Sequence, residues 1–272
     1  LSKLLAETSR CDFLIREPAE AYHARSRDYL SSHQLADFRK CPLLYRQKQL
    51  GLVPDQEGAS FLIGRAAHVA ILEGQERFEA EFAIGGPINP RTGQPFGQAT
   101  KAWAEWAEAQ AKPVLSNDQH DLVGELAASV RVHAAATDLL NVGVAEGVVR
   151  VEYLGIPCQA RFDWLSPKHG LVDLKTCDDL TWFEADARRF GYVFQLAFYR
   201  AVLRLVIGES LPVYLIAVEK KPPFRCGVWR VDPEILSHAQ RANEAAMKRL
   251  LTCQRDDHWP TGYEDVRVFD QL

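Results

Sequence analysis

The chain predicts an α/β domain, a mixed central sheet flanked by helices and entered through an α-helical elaboration. Three observations predict it. Capped, largely apolar segments of helical character run from residue 31 to about 145, the texture turns β-rich near residue 146, and the order from there is three strands, helix, strand. At 272 residues, 47% apolar and 25% charged, the chain can build one large core or two small ones. No internal repeat or low-complexity tract divides it. Residues 31–272 are therefore read as one domain behind a polar lead-in, 1–30, that carries Arg10, Arg16, Arg25 and Arg27. Within the domain, 31–145 is mainly helical, 146–252 holds the sheet core with its flanking helices, and 253–272 is a tail.

The elements follow in order. Ser31-Ser32 caps a short helix through Lys40, and Pro42 suits the first turn of the next, which runs to Gln49 before Gly51. Residues 59–73 are strongly helical and contain Gly64-Arg65-Ala66-Ala67-His68. The Gly- and Pro-rich stretch 85–97 is an exposed loop, too long for a simple connector. With Arg91 and the nearby Lys101 it is a candidate substrate-contact flap. Helices are expected over 98–111 and 116–140, the second opening on the capping-box pattern Ser116-Asn117-Asp118-Gln119. Residues 148–153 and 156–164 read as a hairpin turning at Leu154-Gly155, and 170–176 as a third strand. A long helix over 181–207, strands at 211–219 and 225–231, and a last helix over 232–251 complete the expected order.

Charge and cysteine usage narrow the function classes. A net charge of −4 and a pI near 6.1 give no global basic field, so any nucleic-acid contact must come from local arginines and lysines. The six cysteines are scattered without a C-x-x-C pair, against a zinc ribbon or a secreted disulfide scaffold. Reduced thiols, apolar stretches far short of a membrane span, and an N-terminal stretch with no signal-peptide core are read as a cytoplasmic protein with no membrane association. No Gly-rich phosphate loop follows a strand, which leaves a small-molecule α/β enzyme little support.

Chemistry concentrates around Asp163 and, ten residues on, Asp173-Leu174-Lys175. On a strand, i and i+2 share a face, so Asp173 and Lys175 project together while Leu174 turns to the core. With Lys168-His169-Gly170 as a turn, Asp163 converges on them at one end of a hairpin. Two carboxylates suit a hard divalent cation such as Mg²⁺, and an adjacent lysine suits an attacking water or a phosphate gathering charge. Upstream, His68 is either a core histidine or a third ligand, and Ala66 and Ala67 let its helix approach the sheet. Arg161, two residues before Asp163, either neutralises the carboxylates or grips a phosphate. Gln195 and Tyr199 lie i, i+4 on one helix face; Tyr199 alone reads as core, but a buried Gln195 amide needs a polar partner.

Gly64-x-x-x-His68, Asp163, Asp173-x-Lys175-Thr176 and Gln195-x-x-x-Tyr199, in that order, resemble the PD-(D/E)xK nuclease superfamily, specifically its RecB-like and RecE-like branch. Ser32 to Tyr45 (SHQLADFRKCPLLY) resembles the opening motif of these nucleases, and the likeness spans roughly residues 30–220. The resemblance implies a restriction-endonuclease-like αβββαβ core. It implies that Asp163, Asp173 and the main-chain carbonyl of Leu174 ligate Mg²⁺ (with Mn²⁺ able to substitute), that His68 completes the metal site, and that Lys175 orients or activates the water. Gln195 and Tyr199 then shape the site, while Arg161, Arg65, Arg39, Arg188 and Arg189 are candidate phosphate contacts. The closest likeness, to prophage RecE-type exonucleases, implies digestion of double-stranded DNA ends in the 5′-to-3′ direction, a ring-like homo-oligomer, and service to recombination beside a single-strand annealing protein. An endonuclease, a CRISPR-adaptation or repair nuclease of the same fold, and a catalytically silent DNA-binding module are the alternatives. Some relatives carry an iron–sulfur cluster; here Cys41 has only Cys253 near the C-terminus as company, so no cluster is expected. Glu152, where some relatives place a further acid, is read as a surface carboxylate.

Overall fold

The computed structural model describes residues 13–54 and 59–268. Where a loose lead-in is expected, residues 13–30 are fastened to the sheet instead. Ile15 exchanges both backbone hydrogen bonds with Val148, the short helix α1 (Ala19–Ala24) follows, and Leu30 bridges Pro157 and Gln159. A buried polar contact reinforces this, because Gln159 donates to the Tyr22 carbonyl while Arg150 pairs with Glu17. Residues 1–12 lie outside the described chain, and with them Arg10.

Helix α2 (Ser32–Lys40) opens on the expected cap: Ser31 Oγ accepts from Gln34 N, and the Gln34 side chain accepts from Ser31 N. Helix α3 (Pro42–Gln49) starts with Pro42 at its first turn and with Cys41 Sγ accepting from Leu44 N. Helix α4 (Ala59–His68) widens into a π-helical turn over Val69–Glu73 just past His68, a local distortion common at functional positions. Helix α5 (Gln75–Glu81) leads to strand β1 (Ala83–Ile84), the flap, helix α6 (Lys101–Gln110), and strand β2 (Val114–Leu115), which pairs parallel with β1. The single helix expected over 116–140 is two, α7 (Asn117–Val132) and α8 (Ala134–Leu140). His133, extended at ψ 104°, breaks it, and its Nδ1 accepts from Ala136 N to cap the second.

Five strands form the main sheet: β3 (Val144–Tyr153), β4 (Ile156–Ser166), β5 (Gly170–Cys177), β6 (Val213–Glu219) and β7 (Cys226–Arg230), hydrogen-bonded in that order. Only β5 and β6 run parallel. Their crossover is a 3₁₀ turn (Leu180–Trp182), helix α9 (Phe183–Arg189) and helix α10 (Tyr192–Ile207), so the expected helix over 181–207 is also broken. Gly191, at φ +71°, supplies a left-handed backbone that only glycine adopts freely, and the chain turns by 65° across it. Helix α11 (Pro233–Asp256) closes the fold.

Helices cover both faces of the sheet, which is why its central strands are apolar on both sides. One face packs Leu35 and Phe38 of α2, Phe198 and Val202 of α10, and Met247 and Leu250 of α11 against Leu171 and Leu215. The other packs Ala67 of α4, Leu126 of α7 and Leu139 of α8 against Val172, Leu174 and Ile216. Strand β3 starts earlier than the expected residue 148. Gly147 lies inside it, where a Cβ would come within 2.8 Å of the Leu14 side chain, so a larger residue there would have to displace Leu14.

Candidate functional site

The site forms where two strands part. β4 and β5 pair only over Trp164–Ser166 and Gly170–Val172, while β5 stays on β6 as far as Cys177. Asp163 is the first residue of β4 past that fork. Its Oδ2 accepts from Leu174 N at 2.8 Å, replacing the missing ladder bond with a side chain. The groups therefore converge at the open end of the β4–β5 pair, not at its turn. Leu174 faces the core, 1% exposed, and Asp173 and Lys175 share the opposite face, with Lys175 Nζ 2.6 Å from Asp173 Oδ2.

Helix α4 brings His68 over the fork, its Nδ1 3.6 Å from Asp163 Oδ2. Ala66 and Ala67 are fully buried beneath it. Gly64 faces Thr176, but a Cβ there would sit at an ordinary 3.8 Å, so glycine is not a steric requirement. From α10, Gln195 Nε2 donates to Tyr199 Oη at 2.9 Å. Tyr199 is buried edge-on against Phe162.

Glu146 of β3 is the site residue that sequence reasoning missed. It stands opposite Asp163 with φ +54°, a left-handed backbone costing a non-glycine residue about 1–2 kcal/mol, and the β3–β4 ladder skips both residues. The kink turns Glu146 to the site. One ligand atom each from His68, Glu146 and Asp163 lie within 4.8 Å of one another. A lone carboxylate at the edge of a β-rich run carries no periodic signal that could have flagged it. Glu152, by contrast, is exposed at the far end of β3.

Burial dominates the electrostatics. It pushes Glu146 up to about 8, with Asp163 adding to the rise and Arg161 opposing it. It pushes Asp173 up to about 7 against the pull of Lys175. Lys175 is itself pushed down by burial, but Asp173 and Asp163 more than offset this, so its ammonium stays charged. His68 is lowered by burial, with Asp163 opposing, which favours the neutral imidazole that can ligate a metal.

The residues fit a hard divalent cation. Both carboxylate oxygens of buried Asp173 lack an aligned hydrogen-bond partner among the described residues; the short contact with Lys175 is an ion pair. A buried carboxylate held only by that ion pair, two further carboxylates and a neutral imidazole are a donor set that an ion would satisfy.

The five arginines differ in placement. Arg161 Nε is 2.7 Å from Glu146 Oε2, the neutralising arrangement of the two considered. Arg65 pairs with Glu81 at 2.6 Å. Together with Arg77 and Lys112 they line a cavity of about 250 Å³ that also admits Glu20 and Glu81. Arg39 is held in structure: Nη1 donates to buried Asn243 at 2.6 Å, the guanidinium lies 3.7 Å over Phe194, and burial lowers it to about 10. Arg189 pairs with Asp186, whereas exposed Arg188 has no partner among the described residues. Beyond the flap, at the start of α6, Lys101 pairs with Glu105 at 3.4 Å, and no hydrogen bond or ion pair joins the flap to the fork among the described residues.

A mixed sheet forking over two aspartates and a lysine, under a histidine-bearing helix, defines a PD-(D/E)xK-type nuclease domain. The chain belongs to the family described as PDDEXK-like domain of unknown function (DUF3799), whose model matches residues 31–271. Its fold is shared with the crystal structure of a "putative exonuclease" from Eubacterium rectale, at TM-score 0.69 and 17% identity over 95% of this chain and 96% of that one. No curated protein matches the chain. No single helix among the described residues is long and apolar enough to cross a membrane.

Proposed function

We propose that the chain is a divalent-metal-dependent DNA exonuclease that hydrolyses phosphodiester bonds from duplex ends in the 5′-to-3′ direction. The observation that carries the metal dependence is the cluster of His68, Glu146 and Asp163, with ligand atoms within 4.8 Å of one another, beside the buried Asp173 carboxylate whose Oδ1 has no partner among the described residues. Asp163, Asp173 and the Leu174 carbonyl would hold Mg²⁺ or Mn²⁺, with His68 and Glu146 completing the set. When bound, the ion stabilises negative charge gathering on the scissile phosphate. Lys175, kept protonated between two carboxylates, donates an N–H to the water or to a phosphate oxygen and fixes its direction of attack. Gln195 and Tyr199 hold the helix face behind that lysine, and the cavity bearing Arg65, Arg77, Lys112 and Arg161 offers cationic contacts to the DNA backbone.

Action at an end is favoured by the name of the Eubacterium rectale neighbour and by the likeness of the motifs to RecE-type exonucleases. On the same reading the protein is cytoplasmic, forms a ring-like homo-oligomer around DNA, and prepares ends for recombination with an annealing protein. A ring reconciles an acidic pI with DNA binding, because basic residues line the channel.

The test is digestion of end-labelled linear duplex and closed circular DNA, with Mg²⁺ and with EDTA, by wild type and Lys175→Ala. Metal-dependent loss of linear DNA only, reduced at least 100-fold by Lys175→Ala, is expected. Cutting of closed circles would instead support the endonuclease, and no metal-dependent cleavage at all would leave a DNA-binding module.

A further inference from the structure

A ladder of rings leads outward from the lysine. Lys175 Nζ lies 5.0 Å from the centroid of Tyr192, the first residue of α10. Phe190, on the other side of the Gly191 bend, stacks on Tyr192 at 5.8 Å and 27°. Phe190 is 59% exposed. Arg189 reaches over it at 4.5 Å, and Arg188 stands unpaired beside it among the described residues. Core packing does not account for this ring. The 65° turn at Gly191 lifts it out of the helix face that Leu196 and Phe198 bury.

We propose that Phe190, backed by Tyr192, is a stacking platform for an unpaired nucleobase of the strand being cut. The proposal rests on the nuclease reading and adds a substrate class to it: ends whose terminal bases are unpaired. Three features favour a base over an apolar protein side chain. The platform is continuous with the lysine that faces the scissile phosphate. Its outer end lies no more than about 11 Å from Lys175 Nζ, and at roughly 3.4 Å per stacked nucleotide this spans about three nucleotides. Its flanks are cationic, as a backbone that carries a phosphate at each step requires. Arg189 is no obstacle. An exposed cation–π contact is weaker than a base stacked on an aromatic ring, and the Arg189 ion pair with Asp186 is itself solvent-exposed on the arginine side, so the guanidinium yields the ring and takes a phosphate.

The test is a binding cycle on the full-length chain. The probe is a phosphorothioate-protected duplex with three unpaired nucleotides at one end, either with bases or with abasic sites there, and affinity is read by fluorescence anisotropy. Phe190→Ala is expected to weaken binding of the base-bearing end by roughly 5- to 150-fold, the factor for losing one aromatic–base stack. Phe190→Trp is expected to restore it, and wild type and Phe190→Ala are expected to bind the abasic end alike. Equal binding of the base-bearing end by both proteins overturns the proposal. An equal loss on the abasic end also overturns it, because Phe190 would then act on the backbone or on the bend. If Phe190→Ala melts early, Phe190→Leu, apolar but without a π face, runs the same cycle. A wild type that binds neither end removes the nuclease reading as well, a result independent of any Phe190 variant.

Discussion

Replacing Glu146 by glutamine keeps the shape of the protonated carboxyl and removes its ability to ionise, so it isolates what a metal must do to enter this site. Glu146 is raised from 4.5 to about 8, mainly by burial. Below about pH 4.5 the folded and unfolded chains both carry the proton and the group contributes nothing. From there to about 8 the unfolded chain ionises while the fold keeps its proton, so the metal-free protein loses stability as pH rises. The loss is roughly 1.4 kcal/mol per pH unit, on the order of 4–5 kcal/mol when complete. A divalent ion reverses the sign by taking the place of the proton. Near pH 7 each bound ion should therefore expel about one proton from Glu146, and affinity should gain about tenfold per pH unit from this group alone. Calorimetric titration with Mn²⁺ at pH 6.5 and 8, in buffers of different ionisation enthalpy, counts those protons. Glu146→Gln should release about one fewer and show a pH slope shallower by about tenfold per unit. Proton release and slope both equal to wild type would refute the reasoning and return Glu146 to service as the partner of Arg161.

Two further outcomes follow from neighbouring contacts. His68→Ala should lower divalent-ion affinity by roughly 10- to 100-fold and cleavage with it, read as a shifted metal titration of activity; full activity at unchanged metal dependence would make His68 a core residue. Ser31→Ala removes the Oγ bond of the box that starts α2, leaving only the Gln34 side chain on the backbone N–H of residue 31, and should cost about 1 kcal/mol, a fall of roughly 2–4 °C in a thermal melt. An unchanged melting temperature would show that packing of Leu35 and Phe38 alone holds that helix.

Much of the site was legible because its chemistry is local. Asp173-Leu174-Lys175 declares its own geometry, since strand periodicity sends Leu174 inward whatever the rest of the chain does. Gln195 and Tyr199 do the same at helical spacing, and they meet at 2.9 Å. The caps at Ser31 and Ser116 and the proline at residue 42 placed helix starts to within a residue, because a cap satisfies its own first turn. The breaks in the two long helices are not legible in the sequence. A period of 3.6 residues persists through His133 and Gly191, but the backbone torsions there do not.

Tertiary structure decided the rest, and in each case a partner distant in sequence made the choice. Glu146 belongs to the site because a left-handed kink turns it toward Asp163 and His68, residues that the local pattern of β3 cannot register. Arg161, Arg65 and Arg39 look alike as arginines, yet Arg161 and Arg65 line a shared cavity while paired with Glu146 and Glu81, whereas Arg39 is held on buried Asn243. Phe190 reads as one more apolar residue in a helix until the turn at Gly191 sets it in solvent. The sequence by itself determined the order and local spacing of His68, Asp163, Asp173 and Lys175, but not that Glu146 stands with them. Only packing decided which charges remain unsatisfied, because that depends on burial and on partners brought together across the whole chain.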